Sequence, residues 1–391
     1  MQHTITTTAY ITAVISMYMV GASLPAVPAI AASLNISPHT FQVFSATLMV
    51  AYTIGIYLFT LLSNKLGRKP SLYIGWIFNG LAFTIVLSTH QLSDWIVAGV
   101  LFGFGSSANS LICRLLISDS FTGPELQSKA SLLTSLFQMA LPLCPLVGGF
   151  LLSHYDWESI FYVGIAFSLI QLLMFTVINE TKAHFNPKVE TYRRLSLEFF
   201  SVLRFKPVVG YGLIALFGGM GLAAWLNMSP VVMIHHYGFS PTHYSYIMLI
   251  TNFIPAFIGI FNGKLLKYLS SKRILVTAII LCLLASIAQI IFNTLYVNIT
   301  AQIFCVTLMN FGVTLISSNS FIGLINHLTD DMKMHLGSAV GMYTTWWLLG
   351  LSIASGIAVS FNETTLLILG IIGLTSSAVT FVSYSIMVRQ D

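Results

Sequence analysis

Runs of about twenty apolar residues recur along the whole chain, separated by short polar stretches, and each run is near the length that an α-helix needs to cross a bilayer. They fall at 9–30, 41–62, 72–88, 95–117, 130–152, 159–178, 208–234, 244–262, 274–293, 296–325, 336–360 and 364–388. The pattern predicts an all-α membrane protein of twelve transmembrane helices. Charges keep to the breaks. With both termini on the cytoplasmic side, all 17 Lys and Arg collect in inner loops or at inner helix ends, while the outer side holds only Asp94, Asp156, Glu158, Glu363 and several His. That asymmetry is the positive-inside bias.

The longest polar stretch, 179–207, divides the runs six and six. It predicts an N-terminal six-helix bundle over 1–178, a cytoplasmic linker over 179–207 and a C-terminal six-helix bundle over 208–391. The halves echo each other. Gly263-Lys264-Leu265-Leu266, followed by Ser271-Lys272-Arg273, sits after the eighth run much as the loop from Leu61 to Pro70 sits after the second, at an offset of about 203 residues. Two six-helix pseudo-repeats are the architecture of a secondary transporter, with its substrate near the bilayer midplane.

Composition narrows the class further. A hydrophobic fraction of 56%, 7% charged residues and a mean hydropathy of +0.85 exclude a soluble domain. The net charge of +5 does not suggest nucleic-acid binding, because the cations are dispersed over short loops. Cys113, Cys144, Cys282 and Cys305 lie inside apolar runs at spacings of neither a metal site nor a disulfide framework, and read as packing residues. No Ala-x-Ala site follows the first run, so a removable signal peptide is not expected. No P-loop occurs, which argues against ATP-driven transport. No metal, cofactor or covalent chemistry is expected.

The loop Leu61-Leu62-Ser63-Asn64-Lys65-Leu66-Gly67-Arg68-Lys69-Pro70 joins helices 2 and 3 through a tight turn with three cations. Gly67 permits a left-handed helix end, and Pro70 suits the first turn of the next helix. Asp119, at the inner end of helix 4, could pair with Arg68 as an inside latch. In helix 5, Pro145, Gly148 and Gly149 remove one backbone hydrogen bond and allow close helix approach, which suits a deformable seam.

These residues resemble the major facilitator superfamily, whose signature between helices 2 and 3 is Gly-x-Leu-x-Asp-Arg-x-Gly-Arg-Arg/Lys. Similarity to Bcr/CflA-type drug-resistance transporters rests on Leu24-Pro25-Ala26-Val27-Pro28, Arg114 with Asp119, Pro145-Leu146-Val147-Gly148-Gly149, Trp157 with Ile160-Phe161, and Ser229-Pro230 with Tyr237-Gly238-Phe239-Ser240-Pro241. The departures are equally specific. Where the family carries a helix-1 Asp, this chain has Gly21, followed by Ala22 and Ser23. Where the superfamily has a helix-4 Arg, it has Gly99. The signature Asp is Asn64 and its first Gly is Thr60.

All twelve Asp and Glu fall in loops or at helix ends, so lipophilic cations would find no membrane-embedded partner. Arg114 is the one charge drawn within a span. It either snorkels to the inner surface or faces the cavity to attract an anion. The resemblance implies a cavity lined by helices 1, 4, 7 and 10, here with Tyr18, Ser23, Asn109, Trp225, Asn227, Asn310 and Asn319. Helices 2, 5, 8 and 11 add Tyr52, Gln138, Asn252, Tyr343, Trp346 and Trp347. Each buried amide is a ligand contact or an interhelical clamp. Asn64, Gly67, Arg68, Lys69, Arg114, Asp119, Pro145, Gly148 and Gly149 form the expected gating set.

The expected function is alternating-access transport across the bacterial inner membrane by a monomer with both termini cytoplasmic. Efflux of a polar neutral or anionic solute, such as an antibiotic, metabolite or carboxylate siderophore, is the first reading. Proton-linked or facilitated uptake is the second, and a receptor or scaffold that has lost transport is the third. Proton coupling lacks its usual carrier at Gly21. His235 and His236 at the outer end of helix 7, and His327 and His335 near the inner loop after helix 10, are not placed to replace it.

Overall fold

The computed structural model describes residues 2–89, 91–121, 123–181, 197, 199–266, 268–327, 336–361 and 366–387. Helices form at all twelve apolar runs. They are α1 (Gln2–Gly21, continued by a 3-10 turn at Leu24–Ala26 and a short helix at Val27–Ser33), α2 (Pro38–Leu66), α3 (Arg68–Ser88), α4 (Leu92–Ser120), α5 (Gly123–His154) and α6 (Glu158–Val177). After them come α7 (Lys206–His236), α8 (Pro241–Met248, Leu249–Phe253 and Ile254–Ile260), α9 (Ser271–Thr294), α10 (Ile299–Asn326), α11 (Leu336–Ser360) and α12 (Leu367–Met387). Among the described residues, nine helices are long and apolar enough to cross a membrane. The chain is an all-α membrane protein.

Local chemistry marks α1, α5 and α8. Pro25 and Pro28 withdraw two backbone donors from α1, which tightens into a 3-10 turn. The first half of α5 is polar and its second half carries Pro142 and Pro145. In α8 a π turn at Leu249–Phe253 precedes Pro255. Elsewhere the ends are closed by side chains. Ser37 accepts from the Thr40 N–H at 3.0 Å to start α2, and Asn298 accepts from the Ala301 N–H at 3.0 Å to start α10.

The chain resolves into two compact units, Met1–Tyr192 with Phe239–Tyr246, and Arg193–Gly238 with Ile247–Asp391. In the first, α4 is the central element, and its small residues let neighbours close in. Gly103 faces the Leu48 carbonyl and Ala51 of α2, and Gly105 faces the Asn79 amide of α3. At one end of α4, Trp95 is fully buried against Phe41, Phe44, Trp157 and Phe161, with ring centroids 5.0–5.8 Å away. The second unit repeats the α3–α4 packing in α9 and α10, where Cys282 takes the place of Asn79 and Gly312 that of Gly105. All four cysteines are buried and free.

Candidate functional site

At the α2–α3 turn Gly67 adopts φ +100°, a conformation disfavoured for residues with a Cβ, and the chain reverses within one residue. Arg68, only 6% exposed, grips Asp119 side-on: Nε donates to Oδ2 at 2.7 Å and Nη2 to Oδ1 at 3.1 Å. Its Nη1 donates to the Ser63 carbonyl at 3.0 Å and to Asn64 Oδ1 at 3.2 Å, so Asn64 acts as a neutral acceptor. Sequence reasoning missed Glu180. The backbone N–H groups of Arg68 and Lys69 donate to its Oε1 and Oε2 at 2.9 and 3.0 Å, which satisfies two orphan donors at the start of α3 and complements the helix dipole. Lys69 Nζ donates to the Ile178 carbonyl at 2.6 Å, and Thr181 Oγ1 to Asp119 Oδ2 at 3.3 Å. Residues 178–181, read from the sequence as the close of α6 and the start of the linker, are therefore pinned to the α2–α3 turn.

The second unit carries a neutral counterpart. Ser271 Oγ donates to the Asn319 carbonyl at 3.0 Å, and Asn319 Nδ2 to Asn262 Oδ1 at 3.1 Å. Ser271, the first residue of α9 as Arg68 is of α3, is thus tied to α10 by a neutral bond in place of a charged one.

Gly21 and Gly99, where the family resemblance implies an acid and an Arg, are both sites of close helix approach. A Cβ at Gly21 would lie 3.1 Å from the Leu141 carbonyl oxygen and 3.1 Å from Cys144 Cβ of α5. A Cβ at Gly99 would lie 3.0 Å from the Phe44 carbonyl and 2.7 Å from Thr47 Oγ1 of α2. Both glycines therefore sit in tight helix contacts that a larger side chain would have to push apart. In α5, Gly148 abuts the Ala22 carbonyl and Gly149 abuts Ser245 and Pro241, while the Pro145 carbonyl accepts from Ser245 Oγ at 2.7 Å, all inside the first unit.

The amides and aromatics of the second unit are largely engaged with one another. Pro255 has no N–H to give the Thr251 carbonyl, and Asn310 Nδ2 donates to that carbonyl at 2.9 Å while also donating to Asn252 Oδ1 at 3.2 Å. Trp225 Nε1 and Asn252 Nδ2 both donate to Thr251 Oγ1, at 3.1 and 2.9 Å. Asn227 Nδ2 reaches Ser355 Oγ at 2.8 Å. This group repairs the proline break and ties α7, α8, α10 and α11 together. Tyr343 bonds the Ser317 carbonyl, and Trp346 and Trp347 stack over Gly212 and Gly219 of α7.

In the first unit, Tyr18 donates to the Ile160 carbonyl at 2.8 Å and meets Phe167 edge-on. With Ser23, Phe44, Phe83, Phe102, Ile160 and Phe161 it lines a small pocket with room for about one water molecule. Asn109 is buried with no protein partner for Oδ1 among the described residues. The side chain of Gln138 lies outside the described residues.

The profile of the Major Facilitator Superfamily matches residues 9–355. The chain belongs to the major facilitator superfamily. Among similar curated proteins are the bicyclomycin resistance protein homolog of Haemophilus influenzae, 24% identical over 64% of this chain and 64% of that protein, and multidrug resistance protein D of Escherichia coli, 26% identical over 68% and 66%. The chain thus matches just under two thirds of the length of these relatives. The xylose transporter XylE from E. coli, in a partially occluded inward-open structure, superposes with a TM-score of 0.75 at 13% identity, covering 98% of this chain and 97% of that one. At that identity the likeness is one of fold.

The chain is a multi-pass membrane protein of this superfamily, and the charge inside its helices is distinctive. Every described Asp and Glu lies at a helix end or outside the helices. Among the described Lys and Arg, two lie more than one turn inside a helix: Lys129 of α5, which sits over the Phe121 ring, and Arg114 of α4. Arg114 does not extend toward Ser120 at the near end of α4 and takes no part in the Arg68–Asp119 pair. Its Nη1 turns back one turn to Ser110 Oγ at 2.9 Å, and the guanidinium lies 4.4 Å from the Phe137 ring centre. No group of three His, Cys, Asp or Glu that could hold a metal occurs among the described residues.

Proposed function

We propose that this transporter exports a polar, uncharged or anionic small molecule across the bacterial inner membrane by alternating access, with both termini cytoplasmic. Its two six-helix bundles would cover 1–178 and 208–391. The observation that carries the reading is the charge inventory of the described helices: no carboxylate away from a helix end, and among Lys and Arg only Arg114 and Lys129 more than one turn inside. Desolvating a lipophilic cation against such walls has nothing to offset it. An uncharged antibiotic or an organic anion meets hydroxyl, amide, aromatic and guanidinium groups instead. The resistance names of similar proteins favour the export direction and a drug-like solute.

The pair of Arg68 and Asp119, with the Glu180 cap, serves as the latch that rigid-body movement must open and reclose. Accumulation of candidate solutes in inside-out and right-side-out vesicles, with and without a proton gradient, tests the reading. Export predicts uptake into inside-out vesicles only. Uptake confined to right-side-out vesicles would make the protein an importer, and movement in neither would leave a fold without transport.

A further inference from the structure

Arg114 has capacity that the fold does not use. A guanidinium presents five N–H donors, and here Nη1 is spent on Ser110, reaching Oγ at 2.9 Å and the carbonyl at 3.4 Å. No hydrogen bond to Nε or Nη2 exists among the described residues, and no carboxylate pairs with the group. The Nε–Nη2 edge is the one with which Arg68 grips Asp119, so the same side-on geometry stands open on Arg114.

Its depth argues against an ordinary surface cation. Phe137, whose ring the guanidinium covers, lies in the middle of the 32-residue α5. Ser110 lies about one turn past the middle of the 29-residue α4. The charge therefore points away from the near helix end, against the direction of snorkelling. Two supports hold it there: the hydroxyl of buried Ser110 and the face of Phe137. Arg114 remains exposed beside these buried neighbours.

We propose that Arg114, oriented by Ser110 and Phe137, is an anion-recognition site for the carboxylate or another oxyanion group of the transported solute. The site rests on the transporter reading above for its meaning, and it lies entirely within the first unit. An oxyanion would take the open edge bidentately, with its apolar body against the aromatic groups nearby. Export of organic acids would follow, and uncharged solutes would bind without this contact.

The test uses purified full-length protein with benzoate and its uncharged analogue benzamide, read as ligand-dependent thermal stabilisation. Benzoate is expected to stabilise the wild type at lower concentration than benzamide. Arg114→Gln should weaken benzoate about tenfold or more, the size of a lost charged hydrogen-bond pair. Arg114→Lys, which keeps the charge and loses the fork, should fall between, and Ser110→Ala should weaken benzoate by loosening the anchor. If Arg114→Gln does not fold, the Lys and Ala variants decide. Benzoate acting no better than benzamide on the wild type overturns the proposal, as does equal benzoate binding in all variants. Vesicle transport is scored separately. Absent transport with Arg114-dependent benzoate binding would sink the transport reading and keep the site, and the opposite pattern would do the reverse.

Discussion

Arg68 illustrates how far single residues can be read. Its pairing with Asp119 follows from two charges at the α2–α3 turn and the neighbouring end of α4, where the low exposure of both side chains, 8% and 18%, lifts the pair above an ordinary surface contact. Glu180 was not legible, because it lies 112 residues from the backbone N–H it binds, in a stretch whose polarity announces only a linker. Arg114 was half legible: its position is in the sequence, but its direction depends on Ser110 and Phe137. Removing one member of a partly buried ion pair costs about 3 kcal/mol, so Arg68→Ala and Asp119→Asn should each lower thermal stability markedly and slow transport. The exchange Arg68→Asp with Asp119→Arg should recover part of both, and normal transport by Arg68→Ala would reduce the pair to a passive contact. Glu180→Ala removes two charge-assisted bonds at an exposed helix start and should cost about 1 kcal/mol in unfolding experiments at low salt. An unchanged unfolding curve would show that the start of α3 is closed by other means.

Among the elements, the helices announce themselves by length and hydropathy, whereas their contacts do not. Glycines at 21, 99 and 148 look alike in the sequence as departures or motif residues, yet each marks a backbone of one helix lying on another. At Gly148 a Cβ would run into the Ala22 carbonyl, which belongs to backbone and cannot swing aside. Gly148→Ala should therefore destabilise by about 1–3 kcal/mol. Gly356 in α11 has nothing within 4 Å of a new Cβ. There Gly356→Ala should be neutral or stabilise by up to about 1 kcal/mol, and a loss equal to that of Gly148 would undo the contact argument. The amides of the second unit answer a question the sequence left open. Asn310 serves the carbonyl that Pro255 leaves without a donor, so the two substitutions should couple. Asn310→Leu alone should cost about 1–3 kcal/mol. In a Pro255→Ala background, where the helix supplies its own N–H, that loss should fall by about half. An unchanged loss in a double-mutant cycle would separate Asn310 from the proline break.

For the whole molecule, repeat and family were legible because both rest on local patterns that recur: an apolar run, a basic loop, a second run. Chemistry was less so. The helix-1 acid and helix-4 Arg that the family resemblance implies are Gly21 and Gly99 here, and both glycines sit in tight helix contacts. Nor do the described histidines supply a carrier. His235 and His236 are exposed at the end of α7, and His327 is bound to the Gly323 carbonyl and Tyr211. Weak-acid solutes that carry their own proton, or movement down a solute gradient, remain compatible with such a wall. On the proposed reading the transport path selects against cationic solutes. The most direct measurement of that selection is initial efflux from proteoliposomes containing the purified protein, loaded in parallel with ethidium, with uncharged chloramphenicol and with an aromatic carboxylate. Release of the uncharged or anionic solute above protein-free liposomes, with ethidium at the protein-free rate, is the predicted result. Ethidium leaving faster than from protein-free liposomes, with the other two unmoved, would contradict it.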